Sequence, residues 1–218
     1  MRIMKSFISP HFSWEKLDTG KIEDWIDIFE DRMTNWIFRQ ARFLLGSPHS
    51  EYAIVQLLLP YFEAIAMYIK GEDSDRKSRQ FFKEGFKAVF SSPRNPEHVL
   101  LRIADVLYED ARCGFFHDNM IRSRIFFAND AHEAINPNLP KVNGKIDLNG
   151  DISAIIINAE KFLDEVESHF KMYVEQLRDK NNHDLRENFK KIWSKKYSPG
   201  SSPIEIGDFM GFLDELSE

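Results

Sequence analysis

A mainly α fold, a helical bundle carrying a small β hairpin insertion, is what this sequence predicts, on three observations. Apolar side chains recur at three- and four-residue spacing over most of the chain, as core-facing helices require. Between residues 121 and 149 the period changes to alternation, and an Asn-Gly pair stands between two short runs. At 218 residues the chain is long enough to bury about 70% of its unfolded surface without staples.

From Ile22 the positions Trp25, Ile26, Phe29, Met33, Trp36, Ile37 and Leu44 form one stripe, which predicts an amphipathic helix ending near Gly46. Residues 50–70 are apolar almost all round, which predicts a central helix, kinked where Pro60 removes a backbone donor and ended by Gly71. A third helix is expected over 75–90, with Phe82, Phe86 and Val89 inward and Arg76, Lys77, Arg79, Lys83 and Lys87 toward water. Asn95 and Pro96 read as an N-cap and first-turn pair opening a fourth helix, which carries Val99, Ile103 and Val106 and ends close to Gly114.

Ile121, Ser123 and Ile125 alternate with Arg122, Arg124 and Phe126, which predicts a strand, and Asn143-Gly144 predicts a hairpin with a type I′ turn. From Ile152 a stripe through Ile155, Ile156, Ala159, Phe162, Leu163, Val166, Phe170, Tyr173, Val174 and Leu177 predicts one long helix, roughly 40 Å at about 1.5 Å per residue. After Asn181-Asn182 a last helix is expected to bury Leu185, Phe189 and Trp193. The expected organisation is a helical domain over 1–197 with its β insertion at about 121–149, a linker over 198–203 (SPGSSP), and a short acidic helix over 204–218.

The net charge of −6 argues against a wholly basic nucleic-acid coat, so an anionic ligand must be met by local patches. The Lys- and Arg-rich faces at 76–87 and 186–196 are two of these, and each reads either as a guide for nucleic acid or as a solvated surface. The single cysteine, Cys113, rules out an internal disulfide and makes the cytoplasm the default expectation. No stretch approaches the roughly 18 consecutive apolar residues of a membrane span, so no membrane partner is expected. There is no phosphate-binding Walker loop, no G-x-S-x-G elbow and no dinucleotide glycine loop, and no cofactor is implied. Glu109, Asp110, His117, Asp118, His132 and Glu133 supply metal-ligating types but in no metal-site spacing, so no metal is expected either.

Arg112 and His117, within RCGFFH, are the candidate catalytic residues. A guanidinium forks onto a phosphate at any relevant pH, and an imidazole exchanges protons near neutrality. Together they suit metal-free RNA cleavage: His117 takes the proton of a ribose 2′-hydroxyl, and Arg112 stabilises charge on the scissile phosphate. Five positions along a straight helix turn a side chain by roughly 140° and advance it about 7.5 Å. The pair therefore needs a distortion at Gly114 or a second chain to converge. The residues alone leave a second reading open, in which Arg112 pairs with Glu109 or Asp110 at a helix end and His117 meets a backbone carbonyl. Arg122 and Arg124, just beyond, are candidates for holding flanking phosphates, against a plain solvated strand face. Phe189, Trp193 and Tyr197 are expected to pack, Cys113 to be a small buried hydrophobe, and His169 to lie in the core or an interface. His11, His49, His98 and His183 carry no constellation.

RCGFFH fits the R-x4-6-H motif of the HEPN superfamily, and over residues 20–180 the chain resembles those helical proteins. The resemblance implies a metal-independent endoribonuclease that leaves a 2′,3′-cyclic phosphate and a 5′-hydroxyl. It further implies RNA as substrate, a homodimer with a composite site, and a setting in phage defence or beside a cognate antitoxin protein. Ribonuclease members often carry a polar residue after the arginine, where this chain has Cys113. The alternative the resemblance leaves is a non-catalytic nucleotide- or protein-binding module of the same fold.

Overall fold

The computed structural model of the chain describes residues 7–197. The expected linker at 198–203 and acidic helix at 204–218 lie outside the described residues. A short antiparallel pair, β1 (Phe7–Ser9) and β2 (Phe12–Ser13), leads into α1 (Trp14–Asp18). The first long helix, α2, spans 22–44, with a π-helical stretch at Met33–Phe38 between regular turns. The central helix α3 (Glu51–Lys70) stays helical through Pro60 and ends, as expected, at Gly71 in the left-handed conformation that glycine adopts without cost. Helix α4 (Ser78–Phe90) comes next.

Helix α3 is long and apolar enough to cross a membrane by length and composition alone. Its apolar surface is taken up by the other helices. The Phe62 ring meets Phe82, Phe86, Phe90 and Phe162 at centroid distances of 5.3 to 6.1 Å. Helix α4 comes so close that a Cβ on Gly85 would stand 1.8 Å from the Phe62 carbonyl oxygen. A second aromatic cluster gathers Tyr68, Phe170, Phe189 and Trp193 around Phe29.

Several expectations change on contact with the fold. Helix α5 spans 97–118 and does not end near Gly114; it runs through a π-helical stretch, Tyr108–Arg112, and stops at Asn119, which is left-handed with φ 52°. Asn95 does not cap it: its side-chain amide donates to the Phe90 carbonyl at 3.0 Å, and Pro96 occupies the cap. The strand expected from Ile121 begins later, as β3 (Ile125–Phe127). It forms the edge of a mixed sheet, parallel to β7 (Ala154–Ile157), which β4 (Ile135–Asn138) flanks antiparallel on the other side.

The hairpin β5 (Lys141–Val142) and β6 (Lys145–Ile146) closes as predicted, with Asn143 and Gly144 at φ 51° and 76°. The long helix does not begin at Ile152. Three consecutive β-branched residues, Ile155, Ile156 and Ile157, make the central strand β7. Asn158 then caps α6 (Ala159–Arg178), accepting from the Lys161 amide at 3.1 Å while its own amide donates to the Asn129 and Ala131 carbonyls. Its 20 residues span about 30 Å. Helix α7 (His183–Lys196) buries Phe189 and Trp193, and the Tyr197 ring meets Trp193 at 4.6 Å.

Candidate functional site

The site is built where α5 ends against the first half of α3. Tyr52, near the start of α3, donates its hydroxyl to the Asn119 carbonyl at 2.5 Å and sets its ring edge-on to Phe115 at 4.6 Å. Beyond Asn119 the chain turns back along α5, so that the Arg122 amide donates to the Asp110 carbonyl at 2.9 Å. Gly114 permits this return. A Cβ there would lie 2.2 Å from the Met120 carbonyl oxygen. The glycine expected to break the helix instead makes room for the strand of chain that leaves it, and the irregularity ends one residue before Cys113, in the π-helical stretch.

Arg112 faces α3. Its Nη2 donates to Oε2 of Glu63 at 3.2 Å, and its guanidinium stands 5.2 Å from the Tyr108 ring centroid. The same carboxylate accepts from the Ser74 hydroxyl at 2.7 Å and the Ser78 hydroxyl at 2.6 Å, and Tyr108 donates to Ser78 at 3.1 Å. The second reading paired Arg112 with Glu109 or Asp110, but both carboxylates turn to other arginines. Arg124 bonds Asp110 at 2.5 Å and lies 3.6 Å from Glu109, which also pairs with Arg79 at 2.8 Å. The Asp110 carboxylate holds the Arg124 guanidinium above its ordinary pKa.

Arg112 and Phe115, three residues apart on one side of α5, line an open cavity of about 310 Å³ with Gln56, Leu59 and Pro60 of α3. Pro60 has no N–H, so the Gln56 carbonyl lacks its usual helical donor, and both residues border the cavity. His117 lies outside that lining. It is exposed near the tip of α5, and the regular turns from Cys113 onward keep it off the Arg112 side within one chain.

Arg122 is exposed in the returning segment rather than on a strand, with exposed Met120 nearby, whereas Arg124 is held against α5. The basic face of α4 points to water as expected, exposed at Arg79 and half-buried at Lys83 and Lys87, and these three cations are paired with carboxylates. Lys83 and Arg79 reach Asp105 at 2.6 and 2.9 Å, and Lys87 reaches Glu97 at 2.9 Å. Burial alone would raise the Asp105 pKa; its two cationic partners outweigh that and hold it low. On α7, Arg186 pairs with Glu23 and Lys195 with Asp73.

Cys113 is a half-buried free thiol, not a fully buried one. His169 is half-buried with its Nδ1 2.8 Å from the Tyr61 hydroxyl, and desolvation lowers its pKa. Among the described residues no three His, Cys, Asp or Glu side chains converge as metal ligands. Sequence reasoning missed Glu63. Its signal was its solitude: between Glu51 and Lys70 it is the one charged side chain of an apolar helix, and such a group needs a partner. Comparisons with protein-family models, with curated proteins and with solved structures returned no match to this chain.

Proposed function

We propose that this chain is a metal-independent endoribonuclease of HEPN type, in which Arg112 of one chain and His117 of a second form one cleft. The observation that carries the reading is that Arg112 borders an open cavity while His117 stands exposed at the tip of the same helix. One chain supplies both groups on different sides, and a two-fold pair of chains supplies each group to the other. His117 takes the proton from the ribose 2′-hydroxyl, whose oxygen bonds to phosphorus as the bond to the 5′-oxygen breaks. A protonated second histidine returns a proton to the departing oxygen, leaving a 2′,3′-cyclic phosphate and a 5′-hydroxyl. Arg112 stabilises the phosphorane charge, and Arg122 holds a neighbouring phosphate, while Arg124 fixes the segment that carries Arg122. The cellular setting, cytoplasmic phage defence or a toxin with its antitoxin, rests on the resemblance alone.

The test is cleavage of structured and single-stranded RNA by the full chain in the presence of chelator, with the cyclic phosphate read by mass. His117→Ala and Arg112→Ala each abolish it. Mixing the two variants restores no activity, because a mixed pair keeps a single His117 where base and acid need one from each chain. Cleavage unchanged in both variants overturns the reading. One observation favours a second reading: the Arg112 guanidinium meets a carboxylate, Glu63, as a structural ion pair does. On that reading the cavity binds a nucleotide or peptide without turnover, and Arg112→Ala weakens binding while His117→Ala does not.

A further inference from the structure

Helix α2 leaves an aromatic and cationic face uncovered. Trp36 is 42% and Phe43 78% exposed, with Arg39 and Gln40 exposed between them. Among the described residues nothing pairs with the Arg39 side chain. The neighbouring helix α6 runs antiparallel, with Arg42 against Asp164 and Glu167 and with Asp27 against Arg178, and carries Met172, 51% exposed. Exposed Trp, Phe and Arg together on one helix face are the composition of an interface core rather than of a wet surface.

The chain itself leaves the described body at this face. Tyr197, the last described residue, places its ring 4.9 Å from the Arg32 guanidinium, which also lies 4.8 Å from the Trp36 ring. After Tyr197 come six linker residues, whose extended reach is about 20 Å, and then IEIGDFMGFLDELSE. That segment carries Glu205, Asp208, Asp214, Glu215 and Glu218 and no basic side chain, together with seven apolar ones. Trp36 to Phe43 spans about 10 Å along the helix, so a segment starting beside Trp36 reaches the whole face.

We propose that residues 204–218 dock on the Trp36–Phe43 face of their own chain. Their apolar side chains cover the two aromatic rings, and their carboxylates meet Arg32 and Arg39, a complementarity of both charge and apolar area. The inference is independent of the nuclease reading.

The experiment is photo-crosslinking in the full chain with benzoylphenylalanine at position 43, a site whose exposure lets the replacement leave the core intact. The expected product is a crosslink within one chain to residues 204–218, identified by mass. Phe209→Ser with Leu213→Ser lowers its yield about fivefold or more, the ratio that a loss of about 1 kcal/mol gives. Arg39→Glu lowers the yield as well, and Asp208→Lys with Asp214→Lys restores it. A crosslink joining two chains, whether to the same face or to the partner's residues 204–218, overturns the proposal in favour of a second copy as occupant. A crosslink confined to other residues, or none, overturns it outright.

Discussion

Arg112 and Glu63 stand 49 residues apart in sequence and meet at 3.2 Å between Nη2 and Oε2, with side chains 23% and 18% exposed. Glu63 is the hub, because Ser74 and Ser78 donate to it as well. Removing the hub takes an acceptor from three donors, whereas removing Arg112 leaves the carboxylate with two. Glu63→Ala is expected to cost about 1–3 kcal/mol, as an unsatisfied partly buried group does, and Arg112→Ala less. Urea denaturation of the two single variants and the double variant checks this; equal costs for both singles would show that Glu63 is not the hub.

His117 makes the opposite prediction. Being exposed, its replacement by Ala should change stability by no more than about 0.5 kcal/mol. Loss of general acid and base chemistry costs about 10² or more in rate. The measurement is the ratio of cleavage rates at matched melting temperature, and a variant that melts early without losing rate contradicts it.

Gly114→Ala should displace the returning segment, since the new methyl would sit 2.2 Å from the Met120 carbonyl. The expected cost is about 1–3 kcal/mol, together with faster amide exchange at Arg122, whose bond to the Asp110 carbonyl depends on that return. Gly46→Ala is the control. Its nearest contact would be an ordinary 3.6 Å to the Phe43 carbonyl, so its effect should stay within about 0.5 kcal/mol. Similar losses at both glycines would remove the steric argument.

His169 sets a pH dependence with a defined sign. Desolvation lowers its folded pKa below 6.5, so the unfolded chain takes up the proton first as pH falls. Its contribution to stability is complete above about pH 6.5 and is lost as pH drops through the folded value. His169→Gln should flatten the acid side of a plot of melting temperature against pH below about 6.5. An unchanged slope would assign that loss to the carboxylates instead.

The helices around Phe29, Phe62 and Trp193 were legible in the sequence because their burial repeats at helical spacing, and the Asn143-Gly144 turn because only a few residue pairs accept φ above zero twice. Ile155 to Ile157 were not, because apolar residues that prolong a helical stripe also fill a buried strand, and periodicity cannot separate the two over three residues. The candidate pair was visible as residue types; the side each one faces was not. That depends on Glu63, on a π-helical stretch and on a glycine whose role is set by Met120, none of which the local pattern of apolar residues encodes.

The two π-helical stretches, at Met33–Phe38 and Tyr108–Arg112, each accommodate one surplus residue without moving either end of the helix that contains them. A descendant or cousin that dropped that residue would keep its termini in place while losing it from the count. Any alignment scored without a gap there would slide Arg112 against the wrong column, and ancestry traced through the arginine-to-histidine spacing should therefore be anchored on the segment from Cys113 onward, where the turns are regular.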